Sequence, residues 1–366
     1  MNIQMVDLKR QYLEIKNEIN MVISEVLEST QFILGKKVAE FEESVCKYLG
    51  VKHSIGVANG TDALRIALMA LNIGKDDEVI TTPFTFVATT EMIVSLGARP
   101  VYVDIEPESY NINPSLIKEK ITSRTKAILP VHLYGNPAKM DEIITIARDY
   151  NLYVIEDAAQ AFGVAYKDKK VCTFGDIACI SFFPSKNLGC YGDGGMVVTN
   201  SDELAEKIRM IANHGSKVRY IHEILGMNSR LDAIQAAILN VKIKYIDDWN
   251  NKRFENAKLY TELLKAIPEV KTPHVNSDSK HIFHQYTIRV KNRDELQKHL
   301  QNKGIPTAIH YPIPLHLQPA FRGYSDEGTL PVSEQVAKEV LSLPMHPNLK
   351  TEEIEFIAQS IKEFYE

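Results

Sequence analysis

A lysine set in the run SFFPSKNLGCYGDGG is the first residue of this chain that invites chemistry. Lys186 follows Pro184 and precedes Gly189, Gly192, Gly194 and Gly195, so the backbone around one amine must turn tightly. An amine held in a poorly hydrated pocket loses its proton more easily and becomes a nucleophile toward a carbonyl carbon. The competing account is a solvated loop lysine.

Four other segments carry groups that could act beside such an amine. IEDAAQ ends an apolar run with Glu156 and Asp157, and Gln160 follows. A carboxylate at a strand terminus has reason to face a cleft, although Asp157 also suits the cap of a following helix. NGTDAL joins a strand to a helix, where Gly60 lets the backbone approach a ligand and the N–H groups at Gly60 and Thr61 favour a phosphate. The same letters describe an Asn-Gly turn with a threonine N-cap. PFTFVAT places Phe84 and Phe86 at a strand end, as a ring over a heteroaromatic ligand or as core. GMNSRLD and TAIHYPIPLH offer Asn228, Arg230, His310 and Tyr311 for an anionic or hydroxylated ligand. His310 equally suits a satisfied histidine between domains.

These segments need a scaffold, and its rhythm is legible. From about residue 53 to 213 short β-rich runs alternate with helical patterns, as in a mostly parallel sheet covered by helices. HSIGVAN precedes the helical TDALRIALMALNIG, DEVITTP precedes FVATTEMIVSLG, RPVYVDI precedes PSLIKEKI, and TKAILPVHLYG precedes KMDEIITIARDYN. LYVIEDAA, IACISFF and GGMVVTN add strands before the helical DELAEKIRMIAN, giving about seven strands. In such a sheet ligands collect at the carboxyl ends of the strands. A long helical pattern from about 231 to 267 then connects to a second unit, with a strand in HQYTIRV, a helix in RDELQKHLQNKG and a strand in PTAIHY. SEQVAKEVLSL and TEEIEFIAQSIKEFY read as two further helices. The division expected is an N-terminal segment and large domain at 1–245 and a smaller α+β domain at 246–366. Pro312 to Pro331, rich in Pro and Gly, suits an active-site rim.

Composition narrows the classes. The 366 residues carry 42 Lys+Arg against 47 Asp+Glu, a net charge of −5 with no basic stretch to neutralise a nucleic acid backbone. The start lacks the apolar run of a secretory signal and no window approaches the ~20 apolar residues that span a bilayer, so no membrane partner and a cytoplasmic location are expected. Cys46, Cys172, Cys179 and Cys190 show no CxxC spacing, which argues for reduced thiols and against a metal site. The glycines match neither GxGxxG after the first strand nor a P-loop.

Taken in order, NGTDAL, PFTFVAT, the IEDAAQ to SFFPSKNLG pair, NSRLDAIQAAIL and IHYPIPLH resemble the DegT/DnrJ family of pyridoxal-phosphate (PLP) sugar aminotransferases, over essentially the whole chain. The resemblance implies the α/β aspartate-aminotransferase-like fold (fold type I), with a mostly parallel seven-stranded sheet in the large domain. It implies that Lys186 binds PLP covalently and, once freed by an incoming amine, carries the proton between Cα and the cofactor's C4′ carbon. Asp157 matches the carboxylate that pairs with the pyridine nitrogen, since a protonated ring draws off carbanion charge better than a neutral one. Gln160 matches the residue near the ring hydroxyl, Phe86 the stacking aromatic, and Gly60, Thr61 and Ser181 the phosphate holders. Asn228 matches a phosphate contact from the neighbouring subunit, which implies a homodimer with shared active sites. Lysine at 186, where dehydratases of the superfamily carry histidine, favours transamination.

Within the family, SFFPSKNLGCYGDGG, GMNSRLD and PTAIHYPIPL are most similar to the group that aminates C3 of UDP-2-acetamido-2-deoxy-3-oxo-glucuronate. That likeness puts Arg230, His310 and Tyr311 at the sugar, with L-glutamate as amino donor and polysaccharide or O-antigen sugar biosynthesis as the setting. Enzymes acting on dTDP-3-keto-6-deoxyhexoses share NSRLD and IHYPIP, so these acceptors, and more distantly 4-keto-6-deoxy sugar nucleotides, are the alternatives.

Overall fold

The computed structural model describes residues 3–275 and 278–366. Two helices, α1 (Leu8–Ser29) and α2 (Lys36–Leu49), lead into the alternating region. There β1 (His53–Val57), α3 (Gly60–Ala70), β2 (Glu78–Thr81), α4 (Ala88–Ser95), β3 (Arg99–Tyr102) and β4 (Thr125–Ile128) follow in turn. Next come α5 (Met140–Tyr150), β5 (Tyr153–Asp157), β6 (Ile177–Ser181), β7 (Gly195–Thr199) and α6 (Asp202–Ala212).

The seven strands form one sheet in the order β1-β7-β6-β5-β4-β2-β3. β6, β5, β4, β2 and β3 are mutually parallel, while β7 runs antiparallel to both of its neighbours, β1 and β6. Parallel strands are covered on both faces, which is why β2 is buried at all four positions, Glu78 and Thr81 included. Ile66, Ala67, Ile208 and Ile211 pack on one face, and Val38, Phe41, Val45 and Ile238 belong to the core on the other. Ile66 and Phe41 are fully buried, each contributing ~1.5–3 kcal/mol relative to exposure.

The helical pattern expected over 231–267 is two helices, α7 (Ala233–Lys242) and α8 (Ile246–Leu264), joined by a 3-10 turn at Ile243–Tyr245. α8 passes from one core to another: Ile246 and Trp249 pack with the sheet, Ala257, Tyr260 and Leu264 with a second apolar cluster. That cluster includes residues of β8 (Tyr286–Arg289), α9 (Arg293–Asn302), β9 (Val340–Leu343) and α11 (Thr351–Tyr365), and also Ile3. α10 (Pro331–Glu339) leads into β9. An ion pair of 2.7 Å from Arg10 to Glu353 fixes α1 to α11.

Three local expectations change. PSLIKEKI forms two 3-10 turns, at Pro114–Leu116 and Lys118–Lys120, rather than an α-helix. PTAIHY makes a single bridge, Ala308 to Ser342, and no strand. The VLSL end of SEQVAKEVLSL leaves the helix to pair antiparallel with β8. All four cysteines are free, and among the described residues no helix is long and apolar enough to cross a membrane.

Candidate active site

The parallel strands direct their carboxyl ends to one edge of the sheet, and most of the candidate residues lie along it. β5 ends on two carboxylates that alternate across the sheet. Glu156 is fully buried and accepts hydrogen bonds from His132 Nε2 (3.0 Å) and from the main-chain N–H groups of Cys172 (2.9 Å), Phe174 (2.8 Å) and Gly175 (2.8 Å). His132 Nδ1 accepts from Ala138 N–H at 3.1 Å, so the ring proton sits on Nε2. Burial opposes ionisation of Glu156, but these donors outweigh it and its acidity ends on the low-pKa side. Glu156 is thus spent on holding the 172–175 loop.

Asp157 has fewer partners. Its carboxylate accepts from the Thr89 hydroxyl (2.8 Å) and from Ala159 N–H (3.2 Å), and Thr89 in turn lies 3.2 Å from the Thr85 hydroxyl. Burial raises its pKa, against the pull of Thr89, Ala159 and the charges of Lys186 and His132. No helix follows Asp157, which removes the cap account of this residue.

Lys186 is half-buried, and its amine makes no hydrogen bond or ion pair among the described residues. Loss of hydration lowers its pKa to about 8, with the Asp157 charge pulling the other way. The loop turns so sharply after it that a Cβ at Gly189 would sit 2.4 Å from the Pro184 carbonyl oxygen.

Around this pair, Gln160 donates from Nε2 to the Tyr311 hydroxyl at 3.1 Å and accepts from Tyr134 N–H at 2.6 Å. Phe84 is core, whereas Phe86 is 54% exposed, its ring 6.3 Å from that of Tyr311. His310 meets the Ser342 hydroxyl at 2.9 Å, and burial together with the Lys186 charge lowers its pKa to about 4. The Tyr134 hydroxyl donates to the His310 carbonyl. Thr89 and Tyr134 thus support the site without having been singled out in the sequence. A threonine at 85 and another at 89, one helical turn apart in an apolar run, were the available signal for Thr89.

At the start of α3 the Asn59 side chain, rather than Thr61, caps the helix by accepting from Asp62 N–H at 2.8 Å. The N–H groups of Gly60 and Thr61 have no acceptor among the described residues. A Cβ at Gly60 would lie 2.6 Å from Ser181 Cβ, so glycine lets the helix start close against the end of β6.

Asn228 and Arg230 stand apart. Asn228 is exposed and bridges Asn213 through the main chain, and Arg230 donates to the Asn213 side chain at 3.3 Å. Arg230 lines a separate hollow of about 500 Å³ with His53, Asp202 and Arg209. No hydrogen bond or ring contact among the described residues joins either one to Lys186, Asp157, Gln160 or Tyr311. The segment from Pro312 to Pro331 is tied down by Leu315 N–H on the Pro83 carbonyl (2.8 Å) and by buried Leu315, Phe321 and Leu330, leaving 322–329 mostly exposed.

These residues fit PLP. An unpaired amine of lowered pKa suits an aldehyde carbon, a buried carboxylate with no cationic hydrogen-bond partner suits a protonated ring nitrogen, and two unused N–H groups at a helix start suit a phosphate.

Comparison with known proteins agrees. A "Pleiotropic regulatory protein" of Geobacillus stearothermophilus is 52% identical, covering 100% of this chain and 99% of its own. A UDP-2-acetamido-2-deoxy-3-oxo-D-glucuronate aminotransferase of Pseudomonas aeruginosa is 49% identical, over 98% and 99%. A dTDP-3-amino-3,4,6-trideoxy-alpha-D-glucose transaminase of Streptomyces venezuelae is 41% identical, over 99% and 96%. The crystal structure of S. venezuelae DesV in complex with a ketimine intermediate matches with a TM-score of 0.97 at 41% identity, over 100% of this chain and 99% of that one. The DegT/DnrJ/EryC1/StrS aminotransferase family matches residues 13–362. The cofactor is pyridoxal phosphate, and the chain belongs to the DegT/DnrJ/EryC1/StrS aminotransferase family.

Proposed function

We propose that this aminotransferase carries the amino group of L-glutamate to the C3 keto group of a sugar nucleotide of the UDP-2-acetamido-2-deoxy-3-oxo-glucuronate type, in the making of polysaccharide or O-antigen sugars. The observation that carries the chemistry is the unpaired Lys186 amine, lowered to about 8, within reach of the Asp157 charge. The acceptor rests on the Pseudomonas aeruginosa relative and on the placing of His310 and Tyr311 beside the Lys186 cleft.

PLP supplies an aldehyde carbon for the donor amine and a ring that withdraws electrons. With PLP bound, Lys186 Nζ would hold the cofactor and, once freed by the donor amine, would carry a proton between the substrate Cα and C4′. Glutamate would give up its amino group, take its new carbonyl oxygen from one water and leave as 2-oxoglutarate, and the keto sugar would take the amino group and release its oxygen as water. Asp157 would hold a proton on the ring nitrogen, Gln160 would meet the ring hydroxyl, and Phe86 would cover the ring face. Gly60, Thr61 and Ser181 would hold the phosphate.

Asn228 adds to the phosphate site from a second copy of the chain. A homodimer accounts for the position of Asn228 and Arg230 outside the Lys186 cluster, and the hairpin of Ser216–Val218 with Ile221–His222 and the residues after it expose Val218, Tyr220 and Leu225 at 56%, 78% and 90%. Burying such side chains favours association.

The test is incubation with PLP, glutamate and a panel of UDP- and dTDP-linked keto sugars, followed by mass analysis. Amination of the UDP-3-keto uronate is the expected result, and exclusive use of 4-keto acceptors overturns the reading. A dTDP-3-keto-6-deoxyhexose is the second reading, favoured by the Streptomyces venezuelae relative, and its preferential amination selects it. Borohydride reduction of the holoenzyme should leave the cofactor's mass on the peptide containing Lys186.

A further inference from the structure

We propose that His284 is a positioning residue for the Lys186 amine: a chain of amides anchored on main-chain carbonyls fixes its ring proton on Nδ1 and leaves Nε2 as the lone pair available to that amine. The inference rests on the reading of Lys186 as the cofactor-bearing residue.

The polarity of the chain is set at its far end. Carbonyl oxygens only accept, so the Asn250 Nδ2 that reaches the Phe162 carbonyl (3.2 Å) is a donor, and Asn250 Oδ1 is left to accept from Asn187 Nδ2 at 2.7 Å. The same Asn187 Nδ2 lies 3.4 Å from the Ile282 carbonyl, a second acceptor. Both of these contacts use the amide nitrogen of Asn187, so its Oδ1 is what meets His284 Nδ1 at 3.1 Å. An acceptor opposite a ring nitrogen requires that nitrogen to carry the proton. Asn187, Asn250 and His284 are 5%, 3% and 7% exposed, so water cannot readily replace a mismatched partner.

The main chain that carries the ring is also fixed in place. His284 N–H donates to the Tyr134 carbonyl at 2.8 Å, and its own carbonyl accepts from the buried Arg253 at 3.4 Å. Asn187 adjoins Lys186 in the chain. Burial holds the imidazole neutral, reinforced by the positive charges of Lys186 and Arg253. His284 Nε2 and Lys186 Nζ each lack a hydrogen-bond partner among the described residues. When the amine is released from the cofactor, an N–H donated to Nε2 turns its lone pair to one fixed direction, and proton transfer depends on that direction.

Nitrogen-15 histidine spectra of the holoenzyme read the tautomer directly. His284 should be neutral with its proton on Nδ1 between about pH 6 and 8, and a proton on Nε2 or a charged ring in that range overturns the proposal. His284→Leu and His284→Gln separate lone pair from shape. In single-turnover loss of cofactor absorbance on adding glutamate, the leucine variant should slow about tenfold, the worth of one hydrogen bond. Glutamine, which restores an acceptor, should recover most of that rate. A leucine variant as fast as wild type, or a glutamine variant as slow as leucine, overturns it. Should the leucine variant not fold, the spectra still decide. Absence of the borohydride label at Lys186 sinks the functional reading, whereas a wrong tautomer with the label present sinks only this one.

Discussion

Two poorly hydrated amines serve one loop and share one shifted pKa. Lys186 and Lys242 are both lowered to about 8, each chiefly by loss of hydration. Lys242, on α7, donates to the Gly189 carbonyl at 2.6 Å and sits 4.3 Å from the centre of the Tyr191 ring. It pins the return of the very loop that carries Lys186. Lys186 has no such partner. The depressed pKa therefore reports burial, and the hydrogen-bonding capacity left unused is what separates a reactive amine from a structural one. Glu156 and Asp157 repeat the contrast on adjacent residues: the first accepts four hydrogen bonds and the second two.

The sharpest way to break the comparison is to remove each amine in turn. Lys186→Ala should lower steady-state turnover by at least about 10³-fold, because nucleophile and proton carrier go together. Lys242→Met keeps the volume and should leave turnover within about tenfold. Equal losses in the two variants would show that burial alone had marked the site.

The carboxylates make the next test. Asp157→Asn should slow turnover about 10²-fold with little loss of stability, since its charge is disfavoured by burial. Glu156→Gln should do the opposite, costing about 3–5 kcal/mol in urea unfolding while folded molecules keep the cofactor spectrum. An inactive but fully stable Glu156→Gln would erase the distinction.

How much of this was legible depended on the range of the interactions. α3 was readable because its apolar face lies within one short stretch, although its cap is Asn59 and not the threonine expected there. Asp157, Lys186 and their neighbours were singled out because strand ends carry ligands in such sheets and because whole motifs recur in a known family. PTAIHY misled because β-branched and aromatic residues also serve a segment that presents His310 and Tyr311 beside the cleft. VLSL continued the helical pattern of α10, but pairing with β8, more than fifty residues earlier, prevailed over local propensity. Glu156 reads in sequence like its neighbour, and only the 172–175 loop folding back on it reveals its structural use. The Asn250, Asn187 and His284 chain joins three distant segments, and nothing local announces it.

A pH series sharpens the lysine half of the comparison. In the folded chain Lys242 loses its proton at about 8, against 10.5 for an ordinary lysine. Between those values the unfolded chain binds more protons, so Lys242 makes stability rise with pH across that window. Below about pH 8 both states are protonated and the burial penalty is present in full. The difference in unfolding free energy between wild type and Lys242→Met should therefore move in favour of wild type from about pH 8 to 10.5. A difference independent of pH would mean that the amine is hydrated after all.

Thr89→Val carries the smallest effect and tests the carboxylate half. Valine keeps the shape of threonine but removes the hydroxyl that donates to Asp157 at 2.8 Å. That bond lowers the Asp157 pKa against burial, so its loss should push the carboxyl further toward the neutral form. A neutral carboxyl holds a ring proton less well, and turnover should fall about tenfold, the worth of one hydrogen bond. The loss should be absent in an Asp157→Asn background, where there is no charge left to support. If instead the two losses multiply, Thr89 acts on the cleft by some route other than Asp157, and the lightly bonded carboxylate is not what tunes the site.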